Sequence, residues 1–121
     1  LTEKLSAIYF FYSDWLGSNT RARMSHVQRD VYLTLLFRSL SEQPAGTLPS
    51  TDEELARLGD VNLDTWQDIK APILAKFESD SNGRIFNPRM MREVKYALAK
   101  RAAGSKGGTA KAKRTHKKAH A

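Results

Sequence analysis

Residues 25–43, SHVQRDVYLTLLFRSLSEQ, set the tightest limit on the fold. Val27, Val31, Tyr32, Leu35, Leu36 and Leu40 recur at helical spacing, and Leu33 and Phe37 widen the apolar face. Arg29, Asp30, Thr34 and Arg38 keep one polar strip. A helix that is apolar over most of its circumference has to lie in the middle of a small fold, with other elements packed around it. Ser25 and Gln28 fit a capping box at its start. Pro44, Gly46 and Pro49 forbid continuation past about Gln43. With 121 residues and 40% hydrophobic content, one domain is expected, and there is no room for a two-domain enzyme with an interdomain cleft.

The other elements follow in order. IYFFYSDWL, residues 8–16, holds five aromatics and two aliphatics and reads as a strand or extended arm against the core. Base stacking is the rival use of such a run, but no basic residue interleaves the aromatics, so core packing is favoured. Residues 19–23 read as a polar connector. Gly46, Thr47 and Leu48 could form a short strand. Ser50 or Thr51 caps a short helix whose first turn carries Asp52, Glu53 and Glu54. The helix macrodipole accounts for these three acids without any metal or acid–base chemistry. Gly59 ends that helix. After a tight turn at Val61 and Asn62, Asn62 or Asp64 caps a helix over residues 63–77, with Leu63, Trp66, Ile69, Ile73 and Phe77 inward and Pro72 expected to kink or divide it. Asn82-Gly83 between residues 77–80 and 84–86 predicts a hairpin with a type I′ turn. Asn87-Pro88 then opens a last helix to about residue 103, with Met91, Val94 and Leu98 buried and Gly104 as its stop.

Two helices joined by a tight turn and followed by a hairpin describe a winged helix-turn-helix. The expected fold is mainly α with a small β-hairpin: a winged helix with an aromatic N-terminal arm over residues 1–103, then a flexible basic tail over residues 104–121.

Charge divides the chain at the same place. Residues 1–94 hold eleven Lys and Arg against thirteen Asp and Glu, and residues 95–121 hold nine Lys and Arg and no acid. The net charge of +7 therefore comes entirely from the end of the chain. A one-signed block of this kind is suited to a polyanion. The absence of cysteine excludes disulfides, thiolate nucleophiles and cysteine-based zinc sites. No apolar run approaches the roughly 20 residues of a membrane span, and the opening segment has no separate apolar stretch with a small-residue cleavage site. A cytoplasmic protein is expected.

Together, four segments resemble the YdaU-like family of small prophage proteins. They are YFFYSDWL from Tyr9, LPSTDEELARL from Leu48, Trp66 with the proline-containing stretch 69–77, and Phe86-Asn87-Pro88-Arg89 with the later AAGSKGGTAKAK. They span nearly the whole chain in order. The opening is shorter than the family's and lacks its usual proline after the first aromatics. The resemblance implies a phage replication factor, akin to the N-terminal part of replication initiators, in a bacterial host cell. It attaches no catalytic activity.

Enzyme signatures are absent from the residues themselves. There is no Gly-x-Ser-x-Gly elbow, and Gly104-Ser-Lys-Gly-Gly-Thr lacks the spacing and the preceding strand of a phosphate loop. His116 and His120 stand four apart, but Lys117 and Lys118 repel a cation, so no metal and no cofactor is expected. DNA is the expected partner. The helix over residues 63–77 balances Asp64 and Asp68 with Lys70 and Lys76, and offers only Gln67 and Lys70 as possible base readers. The backbone contacts are expected from Arg84 beside the hairpin turn, from Arg89, Arg92, Lys95, Lys100 and Arg101 on the last helix, and from Lys106, Lys111, Lys113, Arg114, Lys117 and Lys118 in the tail. The bland alternative pairs these arginines with acids of the body. Two other functions stay open. One is a protein-interaction module, for self-association or for recruiting a replicative helicase or its loader. The other is a phage transcriptional regulator.

Overall fold

The computed structural model describes residue 5 and residues 7–120, with side chains as far as residue 104. The chain runs α1 (Tyr12–Leu16), α2 (Asn19–Arg23), α3 (His26–Ser39), β1 (Thr47–Leu48), α4 (Asp52–Leu58), α5 (Leu63–Leu74), β2 (Glu78–Ser79), β3 (Ile85–Phe86) and α6 (Pro88–His120). It is mainly helical, with a small antiparallel sheet in the order β1-β3-β2. Thr47 pairs with Phe86 and Leu48 with Ile85, while Glu78 also pairs with Phe86 and Ser79 with Ile85. The expected hairpin is thus joined by a third strand from the segment after α3.

As its pattern requires, α3 lies at the centre. Val31, Tyr32, Leu35 and Leu36 are buried among Leu48, Leu55, Trp66, Ile73, Ile85, Met90 and Val94. Fully burying one such side chain stabilises the fold by about 1.5–3 kcal/mol. The capping box is present in both directions: Ser25 Oγ accepts from the Gln28 N–H at 3.1 Å, and Gln28 Oε1 accepts from the Ser25 N–H at 2.9 Å. The Gln28 amide also donates to the Ile69 carbonyl at 3.3 Å, tying the start of α3 to α5. Thr51 and Asn62 are the caps of α4 and α5.

At Gly59 the backbone meets α3: an added Cβ would lie 2.9 Å from Val31 Cγ1. Gly46 is required for a different reason, since its φ is +89° where α3 gives way to β1.

Six local expectations are corrected. The aromatic arm has no regular secondary structure as far as Phe11. Residues 12–16 are helical, because one helical turn brings Phe11 and Trp15 close together against the core, whereas a strand would set them about 13 Å apart along one face. The connector is also helical, with Ser18 capping it by accepting from the Arg21 N–H at 3.1 Å. Pro72 does not divide α5. It lies in the last turn, where the Ala75 N–H still reaches the Ala71 carbonyl at 3.1 Å, and Leu63 is exposed rather than inward. The hairpin turn has a positive φ at Gly83 and not at Asn82, so it is not type I′. Asp80 closes it, accepting from the N–H groups of Asn82 and Arg84 through Oδ1 at 2.8 and 2.9 Å. Finally, Gly104 does not stop the last helix. It is outside the left-handed region and α6 continues to His120. A glycine ends a helix only where the backbone turns off, and inside one it costs about 1 kcal/mol, which the surrounding alanines and lysines counter by their helix propensity.

Candidate nucleic-acid interface

The start of α6 is fixed by a buried asparagine. Asn87 Oδ1 accepts from the Met90 N–H at 2.8 Å and caps the helix. Its amide donates to the Tyr32 hydroxyl and to the Lys76 carbonyl, both at 3.0 Å. One side chain thereby joins α3, the segment just after α5, and α6. Burial pushes the Tyr32 phenol above its ordinary pKa of 10.0, and the Asn87 hydrogen bond only partly opposes it. Met90, with Val94, is in the core, while Met91 and Leu98 are half-buried, so the inward stripe lies slightly around the helix from the expected one.

The cations expected to touch DNA fall into distinct environments. Arg84 is held by the body: its guanidinium donates to Glu42 at 2.8 Å and to Thr47 Oγ1 at 2.9 Å. Arg89 is held as well, 2.9 Å from Asp14 and 3.7 Å from Glu93, with its guanidinium 4.3 Å from the centre of the Phe11 ring. It joins Arg92 on a groove of about 430 Å³ whose walls include Trp15, Tyr32 and Lys76. Arg92, Lys95, Lys100 and Arg101 are exposed. Among the described residues, Arg92 and Lys95 have no acidic partner. The side chains of Lys106, Lys111, Lys113, Arg114, Lys117 and Lys118 lie outside the described residues, although α6 carries the backbone through all six positions.

Both possible base readers share one carboxylate. Asp52, in the first turn of α4, accepts from the Trp66 indole N–H at 2.9 Å, from the Gln67 amide at 3.3 Å and from the Lys70 ammonium at 3.1 Å. The Trp66 hydrogen bond, followed by that from Lys70, holds the Asp52 carboxyl below its ordinary 3.8. Asp52 is therefore more than a complement to the helix dipole. It links α4 to α5 and satisfies the one polar atom of a fully buried tryptophan. The sequence held a signal for this link, since a core indole requires an acceptor, but not which of three successive acids would supply it.

Tyr96 escapes the sequence reading. It stands four residues from Arg92 and four from Lys100, and the Lys100 ammonium lies 6.0 Å from the centre of its ring. That basic–aromatic–basic spacing was the available clue. Among the described residues no group of three or more His, Cys, Asp or Glu is placed to hold a metal, and no helix is long and apolar enough to cross a membrane.

No curated protein and no solved structure matches the chain. A family model does, across residues 9–95, which takes in the aromatic segment, the sheet and the first turns of α6. The chain belongs to the family described as protein of unknown function DUF1376.

Proposed function

We propose that this is a non-enzymatic DNA-binding protein of winged helix-turn-helix type, from a phage or other mobile element, acting in the host cytoplasm at the initiation of replication. The carrying observation is a single helix that starts on the core and bears, from Lys95 onward, nine Lys and Arg and no acid. Each cation placed against a phosphate releases a counterion, which gives affinity without sequence reading. The winged-helix reading is supported by the order α3, β1, α4, α5, β2, β3 and by the antiparallel pairing of β1 with β3. Replication is suggested by the resemblance to YdaU-like prophage proteins.

The test is DNA binding by the full chain across a salt series. It is compared with a variant in which Lys106, Lys111, Lys113, Arg114, Lys117 and Lys118 are changed to Gln. The expected result is weaker binding and a log–log salt slope shallower by about 5. Equal affinity and equal slope would remove the cationic helix from the function.

A second reading is favoured by the Asp52 contacts. With Gln67 and Lys70 both engaged by Asp52, α5 is a poor base reader and a better protein-contact surface. Self-association through it predicts a mass that rises with concentration in light scattering. A constant monomer mass leaves only a heterologous partner, such as a helicase or its loader. A transcriptional regulator would require Gln67 and Lys70 to leave Asp52, and would protect one defined operator in a footprint.

A further inference from the structure

Chain folding brings together what the sequence keeps apart. Residues before α1 and side chains of α6 together line a groove of about 420 Å³, with Ile8, Tyr9, Tyr96, Ala97, Lys100 and Arg101 among its walls. No acid lines it. Tyr9 is 70% exposed and Tyr96 60% exposed, while the neighbouring Phe11 and Trp15 are buried in the core. Two large rings left open beside two cations are unusual if the surface only meets water. The Arg92–Tyr96–Lys100 spacing extends the same face of α6 back toward the core.

Aromatic faces beside cations suit a strand whose bases are unstacked from a partner. The rings accept bases without regard to sequence, and the cations follow the phosphates. A duplex hides its base faces and offers the tyrosines nothing to stack on. We infer that this groove binds single-stranded DNA, with bases on Tyr9 and Tyr96 and a phosphate at Lys100. The assignment rests on the DNA-binding reading and adds strandedness and a stacking site to it. Charge complementarity selects a nucleic acid over an apolar peptide, because among the described residues the groove brings Lys100 and no acid to an occupant.

The test is fluorescence anisotropy of the full chain with a short labelled oligothymidylate, a short duplex and an oligouridylate, each across a salt series. The expected order is oligothymidylate over both others. Tyr9→Ala and Tyr96→Ala should each weaken the single strand by roughly 5- to 100-fold. They should leave duplex binding unchanged, and Tyr96→Phe should keep wild-type affinity because it keeps the ring. Lys100→Gln should make the single-strand salt slope shallower by about 0.7. Both tyrosines are exposed, so thermal melts of the variants should overlay the parent. Duplex binding with no preference for the single strand would overturn this inference and leave the DNA-binding reading standing. Binding to none of the three probes would overturn both. Tighter binding of oligouridylate, or alanine variants that bind as the parent does, would also overturn the groove assignment.

Discussion

The cations of the body and those of α6 differ in what answers them. Arg38 donates to both carboxylate oxygens of Asp60 at 3.2 Å, Lys70 meets Asp52, Arg84 meets Glu42 and Arg89 meets Asp14. Each of these pairs joins different elements or loops, so the charge is used to hold the fold. One and two turns beyond Arg89, Arg92 and Lys95 are exposed with no acidic partner among the described residues. The difference teaches where binding energy is available. A guanidinium already placed on a carboxylate must give up that contact to reach a phosphate, whereas an unanswered one gives up only water.

That contrast can be broken by experiment, and the largest effect should come from α6. Reversing Arg92 and Lys95 together to Glu should reduce DNA affinity by well over tenfold at low salt, with a slope shallower by about 2, while the thermal melt stays in place. A large drop in melting temperature with intact binding would invert the comparison.

Asn87→Ala should act on the other side of the divide. It removes the α6 cap and leaves the Tyr32 hydroxyl and the Lys76 carbonyl without their donor, so a stability loss of about 2 kcal/mol is expected in urea titration. Tyr32 adds a pH signature. Its raised pKa means that the folded state holds the phenolic proton more tightly than the unfolded chain. The associated stability is fully present below pH 10 and is lost as pH rises through the folded value, and Tyr32→Phe should flatten that alkaline decline.

Smaller effects are expected from the answered cations. Arg84→Gln and Arg89→Gln should each cost up to about 1 kcal/mol, because their ion pairs are partly solvated, and neither should move the salt slope of DNA binding. A shallower slope for either would place that arginine on the DNA. The smallest shift should come from Asp52. Its lowered pKa contributes stability that is present above pH 3.8 and lost as pH falls through the folded value. The difference between the parent and Asp52→Asn in acid melts should therefore narrow toward low pH.

Local chemistry made much of this fold readable. The Ser25–Gln28 box, the Asn62 cap and the Asn87-Pro88 start all act within four residues, and all are where the pattern puts them, while α3 ends at Ser39, ahead of the stop expected near Gln43. The errors arose where a local rule met a distant partner. IYFFYSDWL has strand-like composition, yet Phe11 and Trp15 share one face of a turn because Tyr32 and the rest of the core lie on that side: the Trp15 and Tyr32 rings stack at 5.3 Å. The hairpin was legible from Asn82-Gly83, but its turn type was decided by the Asp80 carboxylate.

The sequence by itself determined the order of elements from α3 onward, the caps of α3 and α6 and the accumulation of positive charge after residue 94, because propensity, capping and net charge depend on near neighbours or on composition alone. Only the tertiary structure decided which cations are answered and which aromatics are buried. Glu42 reaches Arg84 across 42 residues of chain, Asp52 takes up Gln67 and Lys70, and Tyr9 is brought beside Tyr96 and Lys100. Ion pairing and burial are set by distance in space, and that distance is fixed only when α3 has gathered the other elements around it.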